Sequence, residues 1–221
     1  MLIEVYWIKL SLEKIEKLET ELSNILIRTG AIKFGFFKLT SGKLSPYYID
    51  LRTIPSSPSA FKTVVSIYLA LIKNKIGLDS FDRIGCVPIA SIAFASVIAF
   101  NLDKPLLCVR KELKKHGRQK KVEGILEPGD KVLLIDDLIT TGKSMIEAVN
   151  SIRGEGGIVD KGLVLIDRQE GGIKKMKEID VTVHTFTKIS DLAKRLFHIG
   201  ILDEDKLEDI IKQIKEQEEN P

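Results

Sequence analysis

The chain has 221 residues, of which 44% are hydrophobic and 29% charged, with 34 basic side chains against 31 acidic ones. That length suits a single domain, residues 1–221, with a core of real size. A net charge of +3 gives no sign of a nucleic-acid or membrane partner.

The two cysteines, Cys86 and Cys108, sit in apolar surroundings. They read as reduced, small hydrophobes, with neither a zinc spacing nor a disulfide framework. The start lacks the basic-then-apolar order of a signal peptide. A cytoplasmic protein is expected. The uncharged run Ile84–Leu102 is long enough to span a bilayer. Its Pro88, Ser91, Ser96 and Asn101 fit a strand, a small-residue turn and a buried helix better.

In chain order, residues 10–28 carry Leu12, Ile15, Leu18, Leu22, Ile25 and Leu26 at helical spacing, and Gly30 suits the stop. The first nine residues read as a surface arm. Phe37, Leu39, Tyr48 and Leu51 flank the turn signal Ser41-Gly42-Lys43, which predicts a hairpin outside the main sheet. Pro55 and Pro58 break the chain, and 59–75 reads as helix. From Phe81 onward apolar strands (83–87, 105–110, 131–136, 158–166, 181–186) alternate with helices (92–101, 143–153, 189–197). This alternation predicts an α/β fold whose central, mostly parallel sheet is flanked by helices. The segment 111–124 has no apolar period and reads as a mobile loop. A last helix over 203–216 carries the stripe Leu207, Ile210, Ile211 and Ile214.

The segment 131–149 concentrates chemistry. The apolar run Val132–Ile135 ends in Asp136 and Asp137, then Thr140-Thr141-Gly142-Lys143-Ser144 leads into a helix. In open α/β sheets, ligands bind beyond the carboxyl ends of strands. Adjacent carboxylates repel, so each needs a cation or a hydroxyl donor nearby. The loop would set backbone N–H groups and hydroxyls at a helix N-terminus, a cradle for phosphate. A bare alternative is a polar strand end and an ordinary helix cap. A triphosphate-binding loop is excluded, because Asp137 stands where that motif needs glycine.

The segment Val132–Ser144 resembles the phosphoribosyl pyrophosphate signature of type I phosphoribosyltransferases. The resemblance implies that Asp136 and Asp137 hold the ribose hydroxyls. It implies that Leu138, Ile139, Thr140, Thr141, Gly142, Lys143 and Ser144 bind the 5′-phosphate. Three further stretches are similar to the orotate phosphoribosyltransferase family in particular. Phe34–Arg52 resembles that family's N-terminal hood over the active site, with Tyr48 and Ile49 facing orotate, so that residues 1–52 would contain the N-terminal helix and the hood. Thr40 stands where many members have Lys. Val109–Gly117 is similar to the family's catalytic loop, and seven Lys or Arg lie between Arg110 and Lys121. By resemblance Arg110, Lys111, Lys114 and His116 hold the leaving pyrophosphate. Lys114 and His116 would arrive from the partner in a homodimer sharing loop 111–124. His116 would also be able to supply a proton near neutral pH. Leu165–Gly172 places Arg168 at the same sheet edge as Asp136, where a guanidinium fork suits a carboxylate; by resemblance Arg168 and Thr140 contact the carboxylate of orotate. Pairing of Arg168 with Asp167 or Glu170 as a structural ion cluster is the plain alternative. Ala90 and Ser91 fall at the position of the family's pyrophosphate loop.

The resemblance implies transfer of phosphoribosyl to orotate with Mg²⁺, the metal bound mainly through substrate and not by a protein cage. The expected product is orotidine 5′-phosphate for pyrimidine biosynthesis, passed on to a separate orotidylate decarboxylase partner. A purine phosphoribosyltransferase and a non-catalytic nucleic-acid-binding regulator of the same fold are the alternatives. The first has no acceptor carboxylate for Arg168. The second has no use for a leaving-group clamp.

Overall fold

The computed structural model describes residues 12–38, 42, 44–110 and 120–219. It opens with helix α1 (Leu12–Arg28), whose Leu22, Ile25 and Leu26 are buried at helical spacing. Gly30, at φ +66°, ends it in the left-handed conformation that only glycine adopts freely. Strands β1 (Ile32–Lys38) and β2 (Leu44–Ile49) pair antiparallel as a separate two-stranded sheet, the expected hairpin. A 3₁₀ turn over Leu51–Ser56 follows, and Pro58 then starts α2 (Pro58–Leu71) at a position where a missing N–H costs nothing.

The main sheet contains β3 (Arg83–Cys86), β4 (Leu106–Val109), β5 (Val122–Glu123), β6 (Lys131–Ile135), β7 (Leu138–Ile139), β8 (Ile158–Asp167) and β9 (Thr182–Lys188). Strands pair in the order β5-β4-β3-β6-β8, and β8 also pairs with β7 and β9. Every pairing is parallel except β4 with β5. The helices are α3 (Ala90–Leu102), α4 (Lys143–Gly154), α5 (Gly172–Glu178), α6 (Ile189–His198) and α7 (Glu204–Glu219).

Successive strand residues face opposite ways, which divides the core in two. Ile84, Cys86, Leu133, Ile135, Leu163 and Leu165 pack with α1, α2, α3, α6 and α7. Val132, Leu134 and Val164 pack with α4 and α5 through Met145, Val149, Ile152 and Met176. Both faces are covered, as the alternation of strands and helices predicts.

Three features depart from expectation. Residues 122–123, read as part of a structureless loop, form β5 with Val122 buried. Helix α5 was not anticipated, because seven residues hold barely two turns of apolar period. Helix α3 is only partly buried: Phe94, Ala95 and Ile98 are enclosed, whereas Phe100 is 75% exposed. No helix among the described residues is long and apolar enough to cross a membrane.

Candidate active site

The acid pair interrupts a ladder. β6 ends at Ile135 and β7 begins at Leu138, both paired with β8. Between them Asp136 N donates to Leu163 O (3.0 Å) and Leu165 N donates to Asp137 O (3.0 Å). The backbone of both acids is thus pinned to β8 while their side chains stand at its carboxyl end. Asp137 N also donates to Asp136 Oδ1 (2.9 Å). From the opposite layer the buried Tyr68 hydroxyl donates to Asp136 O at 2.9 Å. Burial drives the Tyr68 hydroxyl well above the ordinary phenol range, and the charges of Asp137 and Asp136 add to this. It therefore stays a donor. Burial also raises the Asp137 carboxyl, against the Asp136 side-chain interaction and the Leu138 amide, which favour the ionised form. A hydroxyl donor or a cation at this spot would relieve both carboxyls.

Beyond the acids the chain turns through Thr140 and Thr141 to Gly142, at φ +78°, which caps α4. As a glycine it has no side chain to cap this helix, so among the described residues the first amides are left for solvent or an anion. Thr141, Lys143 and Ser144 are exposed around it. The loop rests on the start of α5. Gly172 N donates to Thr140 O at 2.9 Å, and a Cβ on Gly172 would lie 2.6 Å from Ile139 Cγ1 and 2.8 Å from Gly142 N. Gly172 was absent from the sequence expectations for the phosphate loop. Its repeated-glycine neighbourhood, Gly171-Gly172, was the signal available. Ile139 is a packing residue: its side chain is buried and its carbonyl accepts from Arg168 N (3.0 Å).

That last bond sets Arg168, just past β8, beside the same loop. Arg168 is 6% exposed, and its guanidinium carbon lies 4.8 Å above the Tyr47 ring centre. Burial raises the Tyr47 hydroxyl, partly offset by the Arg168 charge. Arg168 Nε approaches Glu170 Oε1 at 2.9 Å, an ion pair by distance. The approach lacks hydrogen-bond angles, however, and Arg168 Nε, Arg168 Nη2 and Glu170 Oε1 are buried with no hydrogen-bond partner among the described residues. A buried guanidinium needs directed acceptors to offset its desolvation, and this approach supplies none to Nε or Nη2. So the alternative ion pair is present with Glu170 but leaves the fork unsatisfied. Asp167 takes no part in it: its Oδ1 accepts from Gln169 N at 2.8 Å, while burial raises its carboxyl. The hairpin thus brings Tyr47 to Arg168, a contact that the sequence reading missed. Tyr48, on the next position, is part-exposed and stacks near Phe37, and Ile49 is buried.

Arg110 stands at the root of the basic loop. Its amide donates to Lys121 O (2.8 Å) and its side chain pairs with Glu123. Glu155, past the end of α4, accepts from Val122 N at 3.2 Å and lies 3.5 Å from Lys120 Nζ. A small cleft lined by Val87, Arg110, Lys121 and Ser144 joins this root to the start of α4. Lys111, Lys114, His116 and Thr40 lie outside the described residues. Ala90 begins α3 directly after the strand-end turn, and the buried Ser91 hydroxyl donates to Val87 O. That donor is spent, so only backbone N–H groups remain to meet an anion here.

Acid pair, uncapped helix and unsatisfied arginine converge at one sheet edge. Residues 62–195 match the phosphoribosyl transferase domain model. The orotate phosphoribosyltransferase of Cenarchaeum symbiosum is 37% identical over 188 residues, covering 85% of this chain and 94% of that one. The chain belongs to the orotate phosphoribosyltransferases of the phosphoribosyltransferase family. The crystal structure of orotate phosphoribosyltransferase from Aeropyrum pernix superposes with a TM-score of 0.73 at 30% identity, covering 80% of this chain and 98% of that chain. The structure of Leishmania donovani UMP synthase gives a TM-score of 0.80 at 28% identity over 90% of this chain but only 42% of that longer one. The fold of this family is the mostly parallel sheet flanked by helices described above.

Proposed function

We propose that this chain, as one domain over 1–221, transfers the phosphoribosyl group of phosphoribosyl pyrophosphate to orotate, releasing pyrophosphate and orotidine 5′-phosphate. The family assignment supports the reaction class, and one observation carries the acceptor. Arg168 is a buried guanidinium with unsatisfied nitrogens, held on Tyr47 beside the Thr140 loop. A planar carboxylate is the ligand that such a fork fits. Among its relatives' acceptors, a purine offers none.

In this reading the uncapped start of α4, with Thr140 to Ser144, receives the 5′-phosphate. Asp136 and Asp137 accept from the ribose hydroxyls and lie near the positive charge that grows at the anomeric carbon. Tyr48 and the Ile49 backbone cover the base. Arg110, Lys111, Lys114 and His116 gather the leaving pyrophosphate, with the amides of Ala90 and Ser91 beside it. The protein's work is positioning, charge matching and exclusion of water. Among the described residues no three carboxylate, imidazole or thiol groups cluster as a metal cage. The adjacent Asp136 and Asp137 fit a Mg²⁺ held mainly through the donor substrate. Bound there, Mg²⁺ would supply charge neutralisation to the pyrophosphate. A homodimer sharing loop 111–124 fits the uncovered Phe100 face of α3. A cytoplasmic setting and a separate decarboxylase partner acting on orotidine 5′-phosphate complete the proposal.

The test is loss of orotate absorbance on adding phosphoribosyl pyrophosphate and Mg²⁺, with adenine and hypoxanthine as rival acceptors. Arg168→Ala should raise KM for orotate by about 10²-fold, as expected on losing a charge-assisted, desolvated contact of roughly 3 kcal/mol. Full activity of that variant with orotate would overturn the acceptor assignment.

A further inference from the structure

The chain's two cysteines meet in the sheet. Cys86 ends β3 and Cys108 lies in β4, and the parallel register sets them directly opposite each other. Opposed residues of neighbouring strands hold their Cα atoms about 4.8 Å apart, within the spacing that a disulfide spans. Both thiols point to the same sheet face, and their Sγ atoms are 3.0 Å apart. A sulfur–sulfur bond of about 2.04 Å therefore needs only about 1 Å of further approach. Cys86 is fully buried, whereas Cys108 is half-buried. An oxidant thus meets Cys108 first, and it must be small.

We propose that Cys86 and Cys108 are a redox modification site, a dithiol that hydrogen peroxide converts to an intrachain disulfide. The Cys108 sulfur attacks one peroxide oxygen and the O–O bond breaks, leaving a sulfenic acid and one water. The Cys86 sulfur then attacks the Cys108 sulfur. The S–O bond breaks, and the second water leaves with the Cys86 proton. The two thiols lose two electrons and two protons, and peroxide takes up both to become two waters. Burial holds the Cys86 thiol above the ordinary thiol range, which fits its place as the second sulfur to react. The bridge would tie the carboxyl end of β3 to that of β4, shortly before Arg110. It would also shorten the unfolded chain's free loop. This inference does not depend on the transferase reading.

The full-length protein is exposed to peroxide, denatured, alkylated, digested and weighed, alongside a reduced sample. We expect protection of both cysteines, a linked pair of peptides that dithiothreitol separates, and a higher melting temperature for the oxidised form. In Cys86→Ala, Cys108 should stop at the sulfenic acid, trapped by dimedone, with no rise in melting temperature. Cys108→Ala should leave Cys86 alkylatable. Equal alkylation of both cysteines in peroxide-treated and reduced wild-type protein would overturn the proposal. So would a linked pair that joins two chains on a non-reducing gel.

Discussion

Asp137 answers to two opposed demands. The proposed chemistry needs it ionised, yet burial raises its carboxyl above the ordinary value of 3.8. A carboxyl raised in the fold favours the folded state when protonated. That contribution is complete below the ordinary value and is lost as pH climbs through the raised one. Near neutral pH the folded chain therefore carries a desolvated carboxylate at a cost to stability. Asp137→Asn removes that cost while keeping a side chain of the same shape. Its melting temperature should exceed wild type at about pH 7, by roughly 2–4 °C for each kcal/mol relieved. The gap should shrink as pH falls toward about 4. Orotate turnover should fall by about 10²-fold or more, since a charge aimed at the transition state is gone. Thermal melts across that pH range, run beside the assay, check both halves. A gap that does not change with pH would show that Asp137 bears no such burden.

At the scale of elements, the phosphate loop owes its shape to α5. Gly172 packs its bare Cα against Thr140 O, Ile139 and Gly142 N. Those are mostly backbone atoms, which cannot swing aside as a side-chain tip would. Gly172→Ala should therefore push the Thr140–Gly142 turn out of place, costing about 1–3 kcal/mol in stability and raising KM for phosphoribosyl pyrophosphate more than KM for orotate. Gly154→Ala is the control: it ends α4 and a Cβ there meets nothing within 4 Å. It should be neutral or stabilising by about 0.5 kcal/mol, with activity unchanged. Chemical denaturation and steady-state kinetics read both variants. The main strands, the hairpin and six of the seven α-helices among the described residues were legible because each repeats its apolar period over several turns or residues. Strands β5 and β7, two residues each, are too short to carry a period. The acid pair and its loop were legible for a related reason, since strand end, acids, glycine and helix start are contiguous. The ring of Tyr47 beneath Arg168, the Tyr68 bond to Asp136 and the Gly172 contact join distant segments. Tertiary packing creates such contacts, and among them only Gly172 carries a local mark, the Gly171-Gly172 repeat.

For the whole molecule, the open question is whether one chain makes a complete site. The root of the basic loop is fixed to its own sheet edge: Arg110 N bonds Lys121 O, and Glu155 holds Val122. The residues between carry Lys114 and His116, the groups that the proposed reaction requires at the leaving pyrophosphate. Helix α3 is apolar on all sides, yet Phe100 stays 75% exposed, and nothing else in the described chain covers it. A second copy seated there would conceal this surface. If each site takes Asp137 from one chain and Lys114 from the other, the homodimers Lys114→Ala and Asp137→Asn should both be nearly inactive. Random exchange of their subunits makes half the dimers mixed, each with one intact site and one doubly damaged site. About a quarter of wild-type activity should return on mixing. If loop and acids of a site belong to the same chain, every site in every mixture retains one defect and no activity returns. Subunit exchange, followed by the orotate assay at fixed total protein, separates the two arrangements by rate alone. Size-exclusion chromatography of the same samples confirms that the exchanged species are dimers.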